Sequence, residues 1–234
     1  MSVSSCRFVD LTHTVMPNIP NWDGGCGFER VVLFDYDPDT PADATTFLVH
    51  EIKMAGGIGT HVDSPSHCCP GAASIADIPL EDLVSPCLVV DVSGNNVDEN
   101  YLISMDDIRA FESNVCSIER GCFVIFRTGW DQHWTSGDKY RNNLQFPSIS
   151  EQVALYMVEK GVSGIGIDTL SPDCDRSGFP VHRLILGAGK YIVENLTNLG
   201  SLPPCGSTLM VCPIKLSGCT EAPARVIVIL DNNS

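Results

Sequence analysis

The residues most able to do chemistry lie together in GGIGTHVDSPSHCCPG, residues 56–71, which contains His61, Asp63 and His67. On an extended chain, side chains two positions apart point to the same face, so His61 and Asp63 would project side by side. Pro65 ends a strand and lets the chain turn, which would return His67 to the same space. Imidazole nitrogens and carboxylate oxygens are ligands for divalent zinc and manganese. The segment is therefore a candidate cation site.

Three glycines precede these residues. Gly56, Gly57 and Gly59 allow the backbone to approach another group closely or to adopt a positive φ. Aspartate and glycine are also common in solvated turns, so the pattern alone leaves two interpretations open. Either the segment is a polar surface loop, or it wraps a cation.

The charge balance limits the class of partner. The 234 residues carry a net charge of −15, and the 14 lysines and arginines are scattered along the chain. This disfavours nucleic acids and anionic membranes as partners. We see no apolar run of membrane-spanning length and no secretory pattern at the N-terminus. The 11 cysteines include no C-x-x-C pair, which favours reduced thiols in the cytoplasm over a disulfide framework.

Short segments rich in valine, isoleucine and phenylalanine predict the elements that would position these residues. Strands are predicted at 7–12, 29–34, 46–54, 86–92, 122–129, 164–168, 207–214 and 224–230. Helices are predicted over SMDDIRAFE and over QVALYMVEK, the latter opened by a Ser148–Glu151 capping box and ended by Gly161. Residues 181–196 predict two short helices broken at glycines. The pattern indicates one α/β domain, residues 1–234, with a largely β core and flanking helices.

The histidine-rich segment is similar to the signature of a known family, the cyclase-like metal-dependent hydrolases, which include bacterial kynurenine formamidase and isatin hydrolase. The family pattern is His-x-Gly-Thr-His-x-Asp-x-Pro-x-His, and residues 57–67 match six of its seven fixed positions. Further blocks that resemble the family lie along nearly the whole chain, at 9–25, 86–94, 126–134, 164–173, 179–199 and 213–229. The resemblance implies a fold of the swivelling β/β/α type and close pairing of subunits, as a homodimer or homotetramer.

The resemblance also implies metal ligands in the closing helical block, where the family has a histidine followed twelve positions later by a glutamate. The implied ligand set in this chain is His61, Asp63, His67, His182 and Glu194. Gly57 stands where the family has its first histidine, so one ligand is missing. We therefore expect about one divalent ion per subunit, zinc or manganese. By proximity in sequence, a substitute ligand would be His50, Glu51 or Cys69.

By the same resemblance, we expect a metal-dependent hydrolase that cleaves a C–N amide bond of a small carbonyl compound. The implied substrate is an arylformamide such as N-formylkynurenine or a cyclic amide such as isatin. His67 would act as the general base of the reaction or as a ligand, and these roles remain alternatives. The candidate pocket walls are Trp22, Phe47 and Trp130. Two aspartates could orient the ligands, Asp168 and Asp173.

Two other functions remain open. A family member without the histidine at position 57 could have lost catalysis and serve as a binding or scaffold protein. A retained metal site could instead support a cyclisation or a dehydration. Metal analysis separates the first alternative from the hydrolase, and identification of the product separates the second.

Overall fold

The computed structural model describes residues 6–41 and 44–231. The strands in this part of the chain are β1 Cys6–Asp10, β2 Phe28–Phe34, β3 Val49–Met54, β4 His61–Asp63, β5 Val84–Asp91, β6 Leu102–Ile103, β7 Phe123–Arg127, β8 Ser148–Ile149, β9 Gly164–Ile167, β10 Tyr191–Glu194, β11 Ser207–Pro213 and β12 Glu221–Asp231. The α-helices are α1 Leu80–Leu83, α2 Met105–Asn114, α3 Gly137–Arg141, α4 Glu151–Lys160 and α5 Pro180–Gly187.

Seven of these strands close into a barrel, in the order β12, β11, β5, β7, β9, β10 and β4, because β4 also pairs with β12. Strands β5, β7, β9 and β10 run parallel to one another. The remaining pairs of the barrel are antiparallel, and β1 extends the sheet along the end of β12. The predicted fold class, an α/β domain with a largely β core and flanking helices, is confirmed.

Successive side chains along each strand point to opposite faces of the barrel wall, and this gives two hydrophobic cores, one inside the barrel and one outside it. Val89 of β5 belongs to the core inside the barrel, whereas its neighbour Val90 packs with apolar residues of α2, α4 and α5 outside it. The barrel interior is tightly filled. A Cβ added at Gly164 of β9 would lie 2.8 Å from the Phe123 ring, so only glycine fits there. This packing fixes the strands that carry the polar residues described below.

The helix predictions are partly correct. Helix α4 forms and ends at Gly161, whose φ is 71°, but its N-cap is Ser150, because Ser148 lies on β8. Of the two helices predicted over residues 181–196, only the first exists, as α5. The second is strand β10, which is buried along its length and pairs with β9 on one side and β4 on the other. Strand pairing therefore overrides the local helical pattern there.

Strands β2 and β3 form a separate two-stranded hairpin outside the barrel. Many of its apolar side chains are exposed, including Val31, Val32, Phe34 and Ile52. Among the described residues, no helix has the length and apolar character needed to cross a membrane.

Candidate metal centre

Strand β4 places two polar side chains on the outer face of the barrel wall. Val62 packs into the barrel interior, so His61 and Asp63, its neighbours on the strand, point the opposite way. Strand β10 pairs with β4 so that Glu194 lies directly opposite His61. Residues opposite each other in an antiparallel pair project to the same face, so Glu194 joins the two β4 residues.

The three side chains converge closely. His61 Nε2 lies 3.4 Å from Asp63 Oδ1 and 3.4 Å from Glu194 Oε2. All three residues are buried. These separations are long for direct hydrogen bonds but leave one atom of each group pointing at a common space.

Helix α5 brings a second histidine over the same carboxylates. His182 Nε2 lies 3.5 Å from Asp63 Oδ2 and 3.4 Å from Glu194 Oε1. The other ring nitrogen, Nδ1, lies 2.8 Å from Asp173 Oδ2. The same oxygen accepts a hydrogen bond from the backbone N–H of His182, so Asp173 fixes both the start of α5 and the orientation of the ring.

Each histidine is thus anchored through Nδ1 and offers Nε2 to the carboxylates. His61 Nδ1 is 2.9 Å from the backbone oxygen of Gly59, which is the counterpart of the Asp173 contact at His182. Histidines that bind metals characteristically donate their second N–H to a carbonyl or a carboxylate in this way.

Two buried oxygens of the site, Asp63 Oδ1 and Glu194 Oε1, have no hydrogen-bond partner among the described residues. An unpaired buried carboxylate oxygen costs free energy, and a cation between these atoms would remove that cost. Nitrogen and oxygen donors of this mixture suit zinc or manganese. The residues therefore fit a divalent ion, held by His61, Asp63, His182 and Glu194.

The charges of the site are strongly coupled. Burial lowers the pKa of His61, but the Asp63 and Glu194 carboxylates outweigh burial and raise it to about 10. Burial likewise opposes protonation of His182, and the Asp173, Asp63 and Glu194 carboxylates raise its pKa well above the usual value. Protons on the two histidines thus balance the carboxylates. A divalent cation would take over that role and release those protons on binding.

His67 stands at the edge of the group. The 3₁₀ turn Pro65–His67 follows β4 directly, and the His67 ring centroid lies 5.9 Å from that of His182. The side chain is 34% exposed, and its Nδ1 lies 3.5 Å from Glu221 Oε2. One donor atom each from Asp63, His67 and His182 lie within 4.8 Å of one another, and the same holds for His61, Asp63 and Glu194. All five predicted ligands are therefore brought together.

A cavity of about 510 Å³ opens in front of these residues. Trp22 and Phe179 form an aromatic wall, with ring centroids 5.8 Å apart. Phe179 has φ 58°, an uncommon value for a residue with a side chain, and its ring meets His182 edge-on at 5.9 Å. A volume of this size is in the range typical of small-molecule sites.

A family comparison adds an independent result to this geometry. The model of the Cyclase family, described as "Putative cyclase", matches residues 9–174, which is more than half of the chain. The chain belongs to the Cyclase family. The resemblance predicted from the sequence is thereby confirmed.

Two characterised relatives align over almost the entire chain. Isatin hydrolase of Roseibium aggregatum is 27% identical, with 95% of this chain and 91% of the relative covered. Kynurenine formamidase of Salinibacter ruber is also 27% identical, with 94% and 96% covered. Both relatives are hydrolases, which supports the prediction that this protein is an enzyme.

Solved structures agree with the fold. Isatin hydrolase A from Labrenzia aggregata, bound to benzyl benzoate, superposes with a TM-score of 0.87 at 29% identity, covering 97% of this chain and 95% of that one. A structure described as a potential metal-dependent hydrolase with cyclase activity superposes with a TM-score of 0.74 at 28% identity, covering 96% and 98%.

Of the remaining residues predicted for the site of this Cyclase-family chain, some lie at the cavity and others do not. Trp22 lines the cavity, but Phe47 and Trp130 are outside its lining. Phe47 is 68% exposed and lies between β2 and β3, just before β3 begins. Trp130 is buried, and its indole N–H donates to the backbone oxygen of Tyr140, so it has a packing role. Asp173 contacts His182, as predicted.

The second aspartate, Asp168, does not contact the predicted ligands. It accepts hydrogen bonds from the backbone and hydroxyl of Thr128 and from the backbone of Gly129. Burial raises its pKa to about 6. Asp168 therefore stabilises the turn after β7.

Phe179 and Glu221 are among the cavity residues that were not predicted from the sequence. Both lie in segments that resemble the family, but their residue types alone did not mark them. The signal that could have identified Glu221 is the combination of a missing side chain at Gly57 and an acidic residue at the start of an apolar strand. His50 and Glu51, the substitutes suggested by sequence proximity, lie on the β2–β3 hairpin.

Proposed function

We propose that this protein is a metal-dependent hydrolase that cleaves the C–N amide bond of a small carbonyl compound. The substrate class is an arylformamide, such as N-formylkynurenine, or a cyclic amide, such as isatin. The observation that carries the proposal is the orientation of His61 and His182, whose Nε2 atoms both face the Asp63 and Glu194 carboxylates at 3.4–3.5 Å. The hydrolase relatives and the solved metal-dependent hydrolase support it.

Zinc or manganese is the proposed cofactor. When bound, a divalent ion lowers the pKa of water and polarises a carbonyl group, which together favour attack on an amide. The residues that would hold it are His61, Asp63, His182 and Glu194, and Asp173 would keep the His182 ring in place.

The chain's own groups account for binding and proton transfer. Trp22 and Phe179 offer flat apolar surfaces to an aromatic ring, which suits an aryl amide. His67 is exposed enough to meet a substrate and has a carboxylate partner in Glu221. Its imidazole could take a proton from water and return it to the departing nitrogen. We therefore assign His67 as the catalytic acid and base.

The test compares metal-free protein with protein reloaded with manganese or zinc, using N-formylkynurenine and isatin as substrates. We expect hydrolysis only in the reloaded protein, with release of formate or of the ring-opened acid. His67→Gln should lower kcat by roughly 10²–10⁴-fold, while His133→Gln, a histidine outside the cavity, should not. Bound metal without turnover of either substrate would favour the scaffold alternative. A rearranged product in place of the hydrolysed one would favour the cyclase or dehydratase.

A further inference from the structure

Gly57 lies in the cavity wall beside the predicted ligands, and its backbone does not explain why it is glycine. Gly59, two positions on, has φ 62°, but Gly57 is not among the residues with positive φ. A backbone of this kind accepts any L-residue. The absence of a side chain at position 57 therefore has another cause.

That cause is the side chain of Glu221. A Cβ added at Gly57 would overlap Glu221 Oε1 and would lie 3.4 Å from His61 Nε2. The Glu221 carboxylate thus occupies the space in which a side chain of residue 57 would begin, next to the free nitrogen of His61. A side chain at position 57 would displace the Glu221 carboxylate from this place.

The barrel register aims Glu221 at the site. Strand β12 pairs with β4 so that Glu221 lies opposite Asp63, while the next residue, Ala222, packs inside the barrel with Val62. Glu221 and Asp63 therefore project from the same face of the barrel wall. The second oxygen, Oε2, lies 3.5 Å from His67 Nδ1. The Glu221 carboxylate thus lies beside the space in front of His61 Nε2 and also beside His67, the proposed catalytic acid and base.

We propose that Glu221 is a metal ligand of this protein and supplies from β12 the donor that Gly57 lacks. The inference rests on the proposed function, since it assumes a bound ion. It gives the centre a third carboxylate beside Asp63 and Glu194, in place of a neutral imidazole. Carboxylate-rich sites suit manganese better than histidine-rich ones do. The site should therefore favour manganese over zinc more strongly than a site with histidine at position 57.

Two variants remove the Glu221 contact by independent routes. Glu221→Gln keeps the shape of the side chain and removes its charge. Gly57→Ala keeps Glu221 but places a methyl group where its Oε1 lies. Both should weaken manganese binding at least about tenfold, because ligand contacts are worth no less than the groups that orient them. Glu51→Gln, on the exposed hairpin, removes a carboxylate of the same kind outside the cavity and is the matched control.

A third variant restores a donor. The double substitution Gly57→His with Glu221→Gly exchanges the carboxylate for an imidazole and removes the overlap. It should regain metal binding relative to Glu221→Gln and shift the ratio of zinc to manganese affinity toward zinc. Gly57→His alone should not shift the ratio in this way, because the new side chain would overlap the Glu221 carboxylate.

The measurement is the dissociation constant of manganese and of zinc by calorimetry, with metal content by elemental analysis and folding by circular dichroism. Wild-type affinity in folded Glu221→Gln would overturn the assignment of Glu221 and leave the hydrolase proposal standing. Absence of metal from the wild type after loading would overturn both. Unchanged affinity with a lowered kcat would show that Glu221 acts on His67 and is not a ligand.

Discussion

His182 Nε2 lies 3.5 Å from Asp63 Oδ2, although the two residues come from distant parts of the chain. Asp63 is on β4, and His182 is on α5. The helix is held against the barrel by Val181, Ile185 and Leu186, which belong to the outer hydrophobic core. The polar centre is therefore positioned by apolar packing next to it, and neither the strand nor the helix forms it alone.

The first prediction concerns this pair. Asp63→Ala and His182→Ala should each reduce bound metal to background, because each removes a donor that no neighbour replaces. Elemental analysis after loading with zinc or manganese measures the effect, and His133→Ala is the control outside the cavity. Retention of the wild-type metal content by either folded variant would remove that residue from the ligand set.

The local part of the site could be predicted from residue types and spacing, and the family resemblance supplied the distant ligands His182 and Glu194, but Glu221 was not predicted. His61 and Asp63 lie two apart on a strand, so their common face follows from strand geometry. Pro65 explains the return of His67. The direction of the Glu221 side chain depends on the pairing of β12 with β4. These strands are far apart in the sequence, and neither segment alone indicates how it pairs with the other.

The same distinction applies to the fold. All eight predicted strands exist, and most of them carry a run of β-branched and aromatic residues; β9, with the sequence GIGI, alternates isoleucine with glycine. Strands β4 and β10 were not predicted as strands. Strand β4 has three residues and two of them are site residues, while the segment of β10 was predicted as a second helix after the glycine break that follows α5. Both depend on neighbouring strands to form.

The second prediction tests the anchor of His182. Asp173→Asn should weaken metal binding by roughly 10–100-fold, the usual effect of losing a carboxylate that orients a ligand histidine. Asp168→Asn is a matched control, since Asp168 is an equally buried residue whose carboxylate accepts hydrogen bonds from Thr128 and Gly129, outside the ligand set. Titration of metal into both proteins gives the two dissociation constants. Equal constants for Asp173→Asn and wild type would contradict the orienting role.

The third prediction concerns two cysteines that follow His67. Cys68 lines the cavity, but burial raises the pKa of its thiol to about 11, so it stays protonated at neutral pH and is a poor ligand. We therefore expect the double variant Cys68→Ala, Cys69→Ala to keep wild-type metal content. Loss of metal from this variant, with an intact circular dichroism spectrum, would identify a thiolate ligand.

The fourth prediction addresses the β2–β3 hairpin. Exposed apolar residues that share a face of a surface element mark contact sites, and Val32 and Ile52, on one face of the hairpin, are each more than half exposed. We propose that this hairpin joins subunits into a homodimer or homotetramer. Val32→Glu with Ile52→Glu should then shift the mass in light scattering toward the 25.3 kDa monomer. Leu80→Glu, at an exposed apolar residue away from the hairpin, should not. A wild-type monomer across a dilution series would refute the proposal.

The last prediction is a pH dependence of stability that arises from His13. The His13 ring stacks on Trp134 with centroids 3.7 Å apart. Its Nε2 is buried and has no hydrogen-bond partner in the part of the chain that the structure describes, and burial lowers the pKa of His13 from 6.5 to about 4. Between these two values the unfolded chain binds a proton that the folded chain does not. The free energy of unfolding should therefore rise with pH across this window, by at most roughly 3 kcal/mol from this residue.

His13→Phe keeps an aromatic ring against Trp134 and removes the titration. Urea unfolding of both proteins, with chelator present, gives the difference in stability at each pH, and groups common to both cancel in that difference. We expect wild type to lose stability relative to His13→Phe as the pH falls from 6.5 to 4, because acid protonates His13 only in the unfolded chain. A difference that stays constant across this range would mean that His13 accepts a proton equally well in the folded protein.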